Sequence, residues 1–358
     1  MQLALLLGLV RTALGAQTRG RFTHGWATSS QSTFADIRNA DLWTDAQVAD
    51  AVSKYRVISL EKCTGDGNGT FTEDAIYAAS VKIKRASPGT AVIFYLATDQ
   101  QGAQCPTRWG AEFEQHPEWW LKDDAGTVLT PHVMDHTVAA ARSWWASIPL
   151  NGTDGAGNYD GRPVSELIDG VLCDGAGWKA HAGIATARLE ALEDGLFAMI
   201  AELQAKLTAA NGGVAVANGI SMYGGRNADP RTPADRNVKA LGFVDAIMNE
   251  HSAVFESVNA KNASLNVETV AQDLGAIERA AQLSNGSKAV FMQTWPGLYA
   301  TTGFNDGTVY PPVANGGEPS PRNNSEWRDA LRAHFGFAHA LYLSVAQDNV
   351  WWMYAAYW

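Results

Sequence analysis

Short apolar runs alternate with longer amphipathic stretches along this chain. The runs are Thr23–Ala27, Arg56–Glu61, Ala91–Ala97, Ile168–Cys173, Gly213–Ala217, Val244–Met248, Ala289–Gln293 and Val350–Ala355. Near-continuous apolarity is what strands covered by helices on both faces show. Between them, Thr44-Asp45 opens a helix to about Lys54, and Thr72-Glu-Asp-Ala opens another to about Ala86. Apolar residues at three-and-four spacing run from Thr186 to Ala209 and stop at Asn211-Gly-Gly, while Val267–Leu283 and Ser325–Val345 read the same way. Strand then helix, eight times over, predicts an α/β fold of the (β/α)8 TIM-barrel type rather than a doubly wound sheet. The sequence ends just after the eighth run, so no eighth helix is visible in it.

In such a barrel the chemistry sits where strands give way to loops at the C-terminal mouth. Asp174 closes the fourth run, ahead of Gly-Ala-Gly-Trp178, and Glu250 closes the sixth, followed by His251. Two carboxylates on strands two apart would face each other across the mouth, which is the equipment for cleaving a glycosidic bond. A turn Asp before Gly and a solvated loop Glu are the bland alternatives. Other polar or aromatic residues lie at strand ends and would suit a hydroxyl-rich substrate. They are His24 and Trp26 in the first run, Glu61 and Lys62 closing the second, Asp99 with Gln100 after the third, Asn218 after the fifth, and Gln293 with Trp295 at the seventh.

Composition narrows the partners. The chain has 358 residues, 46% of them hydrophobic, enough to bury a large core. A net charge of −10 argues against nucleic acid or an anionic membrane as partner. The first ten residues, Met1 to Val10, are apolar but too short to span a bilayer, and small residues follow at 13–16. The reading is a signal peptide over residues 1–16, with one catalytic barrel over 17–358 and a secreted product. Five Asn-X-Ser/Thr sequons, at Asn68, Asn151, Asn262, Asn285 and Asn323, fit a glycoprotein of the secretory route. Cys63 and Cys105 follow adjacent strand-like runs and are expected to form a disulfide, whereas Cys173 reads as a small buried residue. There is no His-Glu-x-x-His or comparable ligand cluster, so neither a metal nor another cofactor is expected.

The third connection is long and rich in tryptophan. Its stretch His116-Pro-Glu-Trp-Trp-Leu-Lys-Asp-Asp-Ala-Gly126 resembles a segment found in TIM-barrel glycoside hydrolases. Met134-Asp-His-Thr137 with Arg142-Ser-Trp-Trp145, and Ile168-Asp-Gly-Val-Leu-Cys-Asp-Gly175, resemble two further elements of those proteins. The group most similar is hypothetical glycosyl hydrolase family 15, and the resemblance is good over residues 90–180. It implies a carbohydrate-active barrel with Asp174 as a catalytic carboxylate. Trp119 and Asp135 in the long connection and Trp178 after Asp174 are further substrate-contact candidates. Barrels similar to α-galactosidases and α-glucosidases carry a fourth-strand nucleophile and a sixth-strand acid/base, the places Asp174 and Glu250 occupy. The chain departs from the family at His136-Thr137-Val138, where Asn-Pro is usual.

The expectation is hydrolysis of a poly- or oligosaccharide by Asp174 as nucleophile or base and Glu250 as acid/base, with retention by analogy. A carbohydrate-binding barrel without catalysis is the rival from another class, and a lyase or transglycosylase is a third. The sugar, its anomer and the oligomeric state are not legible.

Overall fold

The computed structural model describes residues 34–99, 105–177, 181–219, 237–252, 258–259, 264–265, 267–285, 287–294 and 325–354. Eight parallel strands form one sheet in chain order: β1 Phe34–Ile37, β2 Val57–Leu60, β3 Ala91–Ala97, β4 Gly170–Asp174, β5 Val214–Asn218, β6 Ala246–Ser252, β7 Ala289–Thr294 and β8 Val350–Tyr354. The last strand returns to the first, where the Asp36 N–H meets Met353 Sδ at 3.1 Å. The helices that link them are α1 Asp45–Lys54, α2 Thr72–Ala86, α3 Arg108–Phe113, α4 Ala139–Trp145, α5 Thr186–Asn211, α6 Val267–Leu283 and α7 Ser325–Val345. This is a (β/α)8 barrel.

One strand differs from the expectation. The barrel opens with Phe34–Ile37, not with Thr23–Ala27, which lies outside the described residues together with the 1–16 segment. Phe34-Ala-Asp-Ile is short and carries an acid, so a search for apolar runs passes over it.

Local chemistry explains the helix limits. Thr44 caps α1 through a box in which its hydroxyl accepts the Gln47 N–H at 3.2 Å and the Gln47 side-chain oxygen accepts the Thr44 N–H at 2.9 Å. Acidic Glu73 and Asp74 sit in the first turn of α2, and basic Lys84 and Arg85 in its last, as the helix dipole favours. The α5 helix stops where Gly212 takes a φ of 73°, a left-handed cap that glycine adopts without strain.

Strand register decides what enters the barrel. Phe34 of β1 and Phe291 of β7 bring their rings to 4.9 Å, edge to face, although β8 runs between their strands. Such a contact is made only inside. Following the pairings round the wall carries the same face through Ile93, Leu172, Val216, Met248 and Trp351, all buried. Burying each of these contributes about 1.5–3 kcal/mol. Side chains two residues further along each strand point the same way. There the apolar layer ends, and the positions are Asp36, Tyr95, Asp174, Asn218, Gln293 and Met353.

The opposite end of the barrel is held by a buried ion pair. Lys84 reaches Asp169 at 2.5 Å, and the same carboxylate oxygen accepts the Val92 N–H at 2.8 Å. At the mouth, the long β3–β4 connection folds back on the end of β3. The Trp145 indole donates to Ala97 O at 2.7 Å, and the Met134 N–H to Asp99 O at 2.9 Å.

Candidate active site

Asp174 and Glu250 are joined by one amide. Nδ2 of Asn218, at the end of β5, donates to Asp174 Oδ1 at 3.0 Å and to Glu250 Oε2 at 2.5 Å. An amide nitrogen has two hydrogens, so both bonds can be made at once. The Tyr95 hydroxyl donates to Asp174 Oδ2 at 2.7 Å, and the Lys62 ammonium stands 3.7 Å from the same oxygen. Lys62 also lies 3.6 Å from Glu61 and 5.1 Å from the centre of the Tyr95 ring. Just past Asp174 the chain must leave the wall sharply, and Gly175 does so at a φ of 76°.

Glu250 sits on an irregularity of the wall. Met292 pairs with Asn249 but Thr294 pairs with Ser252, so β6 holds one residue more than β7 over this stretch. A bulge of this kind bends a strand and re-aims a side chain, and such bulges gather beside active sites.

Burial sets the protonation of the deeper acids. Asp36, only 2% exposed, is raised to about 7, first by burial and then by the charge of Glu250, with Ser59 and Lys62 pulling the other way. Glu61, 1% exposed, is raised well above the usual carboxylate range by burial and next by Asp36. Burial works against the charge of Lys62, but Glu61, Asp174, Glu250 and Asp36 outweigh it and its pKa is raised. Tyr95 is pushed up by burial and by Asp174, so it stays a proton donor.

Of the residues singled out in the sequence, Asp174, Glu250, Glu61, Asn218 and Gln293 come together in this mouth. Asp99 lines a small neighbouring cavity with Leu121, His136, Gly175, His181 and Glu193. Asp135 accepts the Thr137 N–H at 2.9 Å and hydroxyl at 2.6 Å and faces Arg188 at 3.7 Å, the work of a turn residue. Trp119 is packed away: His116 stacks on it at 3.8 Å and Trp144 lies at 4.9 Å, which leaves its ring no open face for a sugar. His24, Trp26, Gln100, Trp178 and Trp295 lie outside the described residues, as does the side chain of His251. Lys62 comes with Glu61 as expected, but Asp36 and Tyr95 were not among the candidates. A detectable signal existed, since Phe34-x-Asp36, Leu172-x-Asp174, Met248-x-Glu250 and Phe291-x-Gln293 all put an inward polar group two residues beyond an inward apolar one.

Cys63, directly after Lys62, is disulfide-bonded to Cys105, with Cα atoms 5.1 Å apart. Among the described residues the only His, Cys, Asp and Glu donors close enough together to hold a metal are Cys63, Asp66 and Cys105, and both sulfurs are committed to each other. Cys173 is buried, and burial beside Asp174 raises its thiol pKa.

No family model matches the chain, and no curated protein matches it. Solved structures that are similar include the PgaB (BpsB) glycoside hydrolase domain from Bordetella bronchiseptica, at 11% identity over 90% of this chain and 93% of that one, TM-score 0.48. A GH10 protein from Paenibacillus barcinonensis is similar at 13% identity over 94% and 86%, TM-score 0.47. A β-galactosidase from the psychrophilic Marinomonas ef1 is similar at 10% identity and TM-score 0.46, over 74% of this chain but only 48% of that one. At these scores the likeness adds nothing to the barrel already read from the strand order.

Proposed function

We propose that this chain is a glycoside hydrolase that cleaves O-glycosidic bonds in a poly- or oligosaccharide. The observation that carries the reading is the Asn218 amide, which holds Asp174 and Glu250 side by side at the barrel mouth. Their nearest oxygens are separated by no more than the 3.0 and 2.5 Å legs laid end to end. That reach falls short of the ~6.5–9.5 Å that leaves room for an attacking water and favours the closer, retaining arrangement. In this reading Asp174, held between Tyr95 and Lys62, is the nucleophile. Glu250 protonates the departing oxygen and then takes a proton from water.

Secretion belongs to the same proposal. The sequon residues Asn68, Asn151 and Asn285 are exposed, and a disulfide suits an oxidising compartment.

The test is a screen of polysaccharides and aryl glycosides with the wild type beside Asp174→Asn and Glu250→Gln. Both variants should lose at least about a hundredfold in kcat/KM while keeping the native fold. A variant that keeps its rate removes that residue from the mechanism. Glycan binding without turnover, unchanged by both substitutions, would favour a carbohydrate-binding barrel.

A further inference from the structure

Hydrolysis needs two carboxylates, and among the described residues this mouth holds four. Asp36 and Glu61 are surplus to the pair, and among the described residues the cation they face is Lys62, which is already shared with Asp174. Asp36 has no cation within ion-pair distance among the described residues. A second observation is independent of these charges. Gln293 is fully buried, and among the described residues neither its Oε1 nor its Nε2 has a hydrogen-bond partner. It stands two residues beyond the inward Phe291 and pairs with Met353, whose sulfur touches the Asp36 N–H, so its amide enters the mouth beside Asp36. An unpaired buried amide is costly and calls for a partner that the described residues do not supply.

We infer that the mouth takes a sugar bearing a free amine, because among the described residues its carboxylates outnumber the one ammonium, and the unsatisfied Gln293 amide beside Asp36 offers an acceptor and a donor. The inference rests on the glycosidase reading and names its substrate class. With a neutral sugar, Asp36 once deprotonated would have no cation of the described residues within ion-pair distance. An ammonium on the ring supplies that charge. Its N–H groups give Gln293 Oε1 a donor, and the neighbouring hydroxyl oxygen accepts from Nε2. A vicinal amino alcohol, as in a 2-amino-2-deoxy sugar, presents both groups at adjacent carbons. An N-acetyl group would remove the charge and add bulk. The chain's net charge of −10 also draws a polycationic glycan towards it.

The test is calorimetric titration of the full chain with glucosamine, galactosamine, their N-acetyl forms, glucose and galactose, with ethanolamine as an amine without a ring. An amino sugar should bind at least about tenfold tighter than its neutral and N-acetyl counterparts and than ethanolamine. In Asp36→Asn that preference should fall below about threefold. Should this variant fail to fold, the wild type carries the test: its preference at pH 8 should shrink at pH 5.5, where Asp36 holds its proton. Equal binding across the series, tighter binding of the N-acetyl form, or ethanolamine matching the sugars would overturn the inference. If a neutral glycan is then cleaved in a manner needing Asp174 and Glu250, the hydrolase reading stands without it. If no glycan is bound or cleaved, both fall.

Discussion

The Lys62 ammonium stands 3.7 Å from Asp174 Oδ2, on the side of the carboxylate away from Asn218. It is also a positive charge that opposes protonation of Asp36 and Glu61. Replacing it by Met keeps the length and removes the charge. Asp36 and Glu61 would then hold their protons to higher pH, and the acidic limb of the pH–rate profile should move up by about one unit. At neutral pH kcat/KM should fall about ten- to a hundredfold. A profile that keeps its acidic limb would show that Lys62 does no electrostatic work on the reaction.

Asn218 offers a graded test. Asn218→Ala removes the amide bridging Asp174 and Glu250, and kcat should fall about ten- to a thousandfold with little change in KM. Asn218→Asp is nearly isosteric but sets a third charge against both carboxylates, so its loss should be larger. If Asp proves milder than Ala, the bridge is a packing feature and the assignment is wrong.

Glu73 lies outside the mouth, at the start of α2, and is buried. Its side chain accepts the Arg108 N–H at 2.5 Å, and burial raises its pKa from 4.5 to about 7. The unfolded chain therefore releases this proton more readily than the folded one. Stability is undiminished below about pH 4.5 and is lost as pH rises towards 7. Glu73→Gln keeps the acceptor and removes the ionisation. It should stabilise the protein at pH 8 by an amount on the order of 3 kcal/mol and leave it near wild type at pH 4.5. Thermal unfolding at the two pH values decides, and an equal shift at both would rule out the ionisation.

The Cys63–Cys105 bridge closes a loop with a sequence separation of 42. On chain-entropy grounds its removal in Cys63→Ser/Cys105→Ser should cost about 3–4 kcal/mol. Because Cys63 follows Lys62, the rate should fall too, and well below the unfolding temperature. A double variant with lowered stability but full activity would separate the bridge from the site.

How far the sequence could be read follows from what each signal reports. The limits of α1 and α5 were legible because Thr44 and Asn211-Gly-Gly are local capping chemistry, and the start of α2 because Glu73 and Asp74 suit the first turn of a helix. Strands β2 to β8 were legible because both faces are covered and the apolar run is nearly unbroken. Strand β1 was not, since its inward Asp36 interrupts the run, and with the strand went the acid itself. Trp119 misled for a related reason: an aromatic beside a mouth looks the same in sequence whether its face is open or taken by Trp144. Lys62 was legible only as one polar residue at a strand end, and its place among the acids follows from the strands that bring them round it.

The extra residue in β6 gives the wall a grain. Lengthening or shortening a strand by two residues keeps the same side chains facing the cleft, while a change of one turns the lining outward and brings the helix-facing side chains in. At Glu250 the count is already offset against β7. Losing a single residue there would disarm the cleft without altering any reactive group. Descendants of this barrel can therefore drift in strand length only by even steps, and the sixth strand carries the odd one on which its chemistry turns.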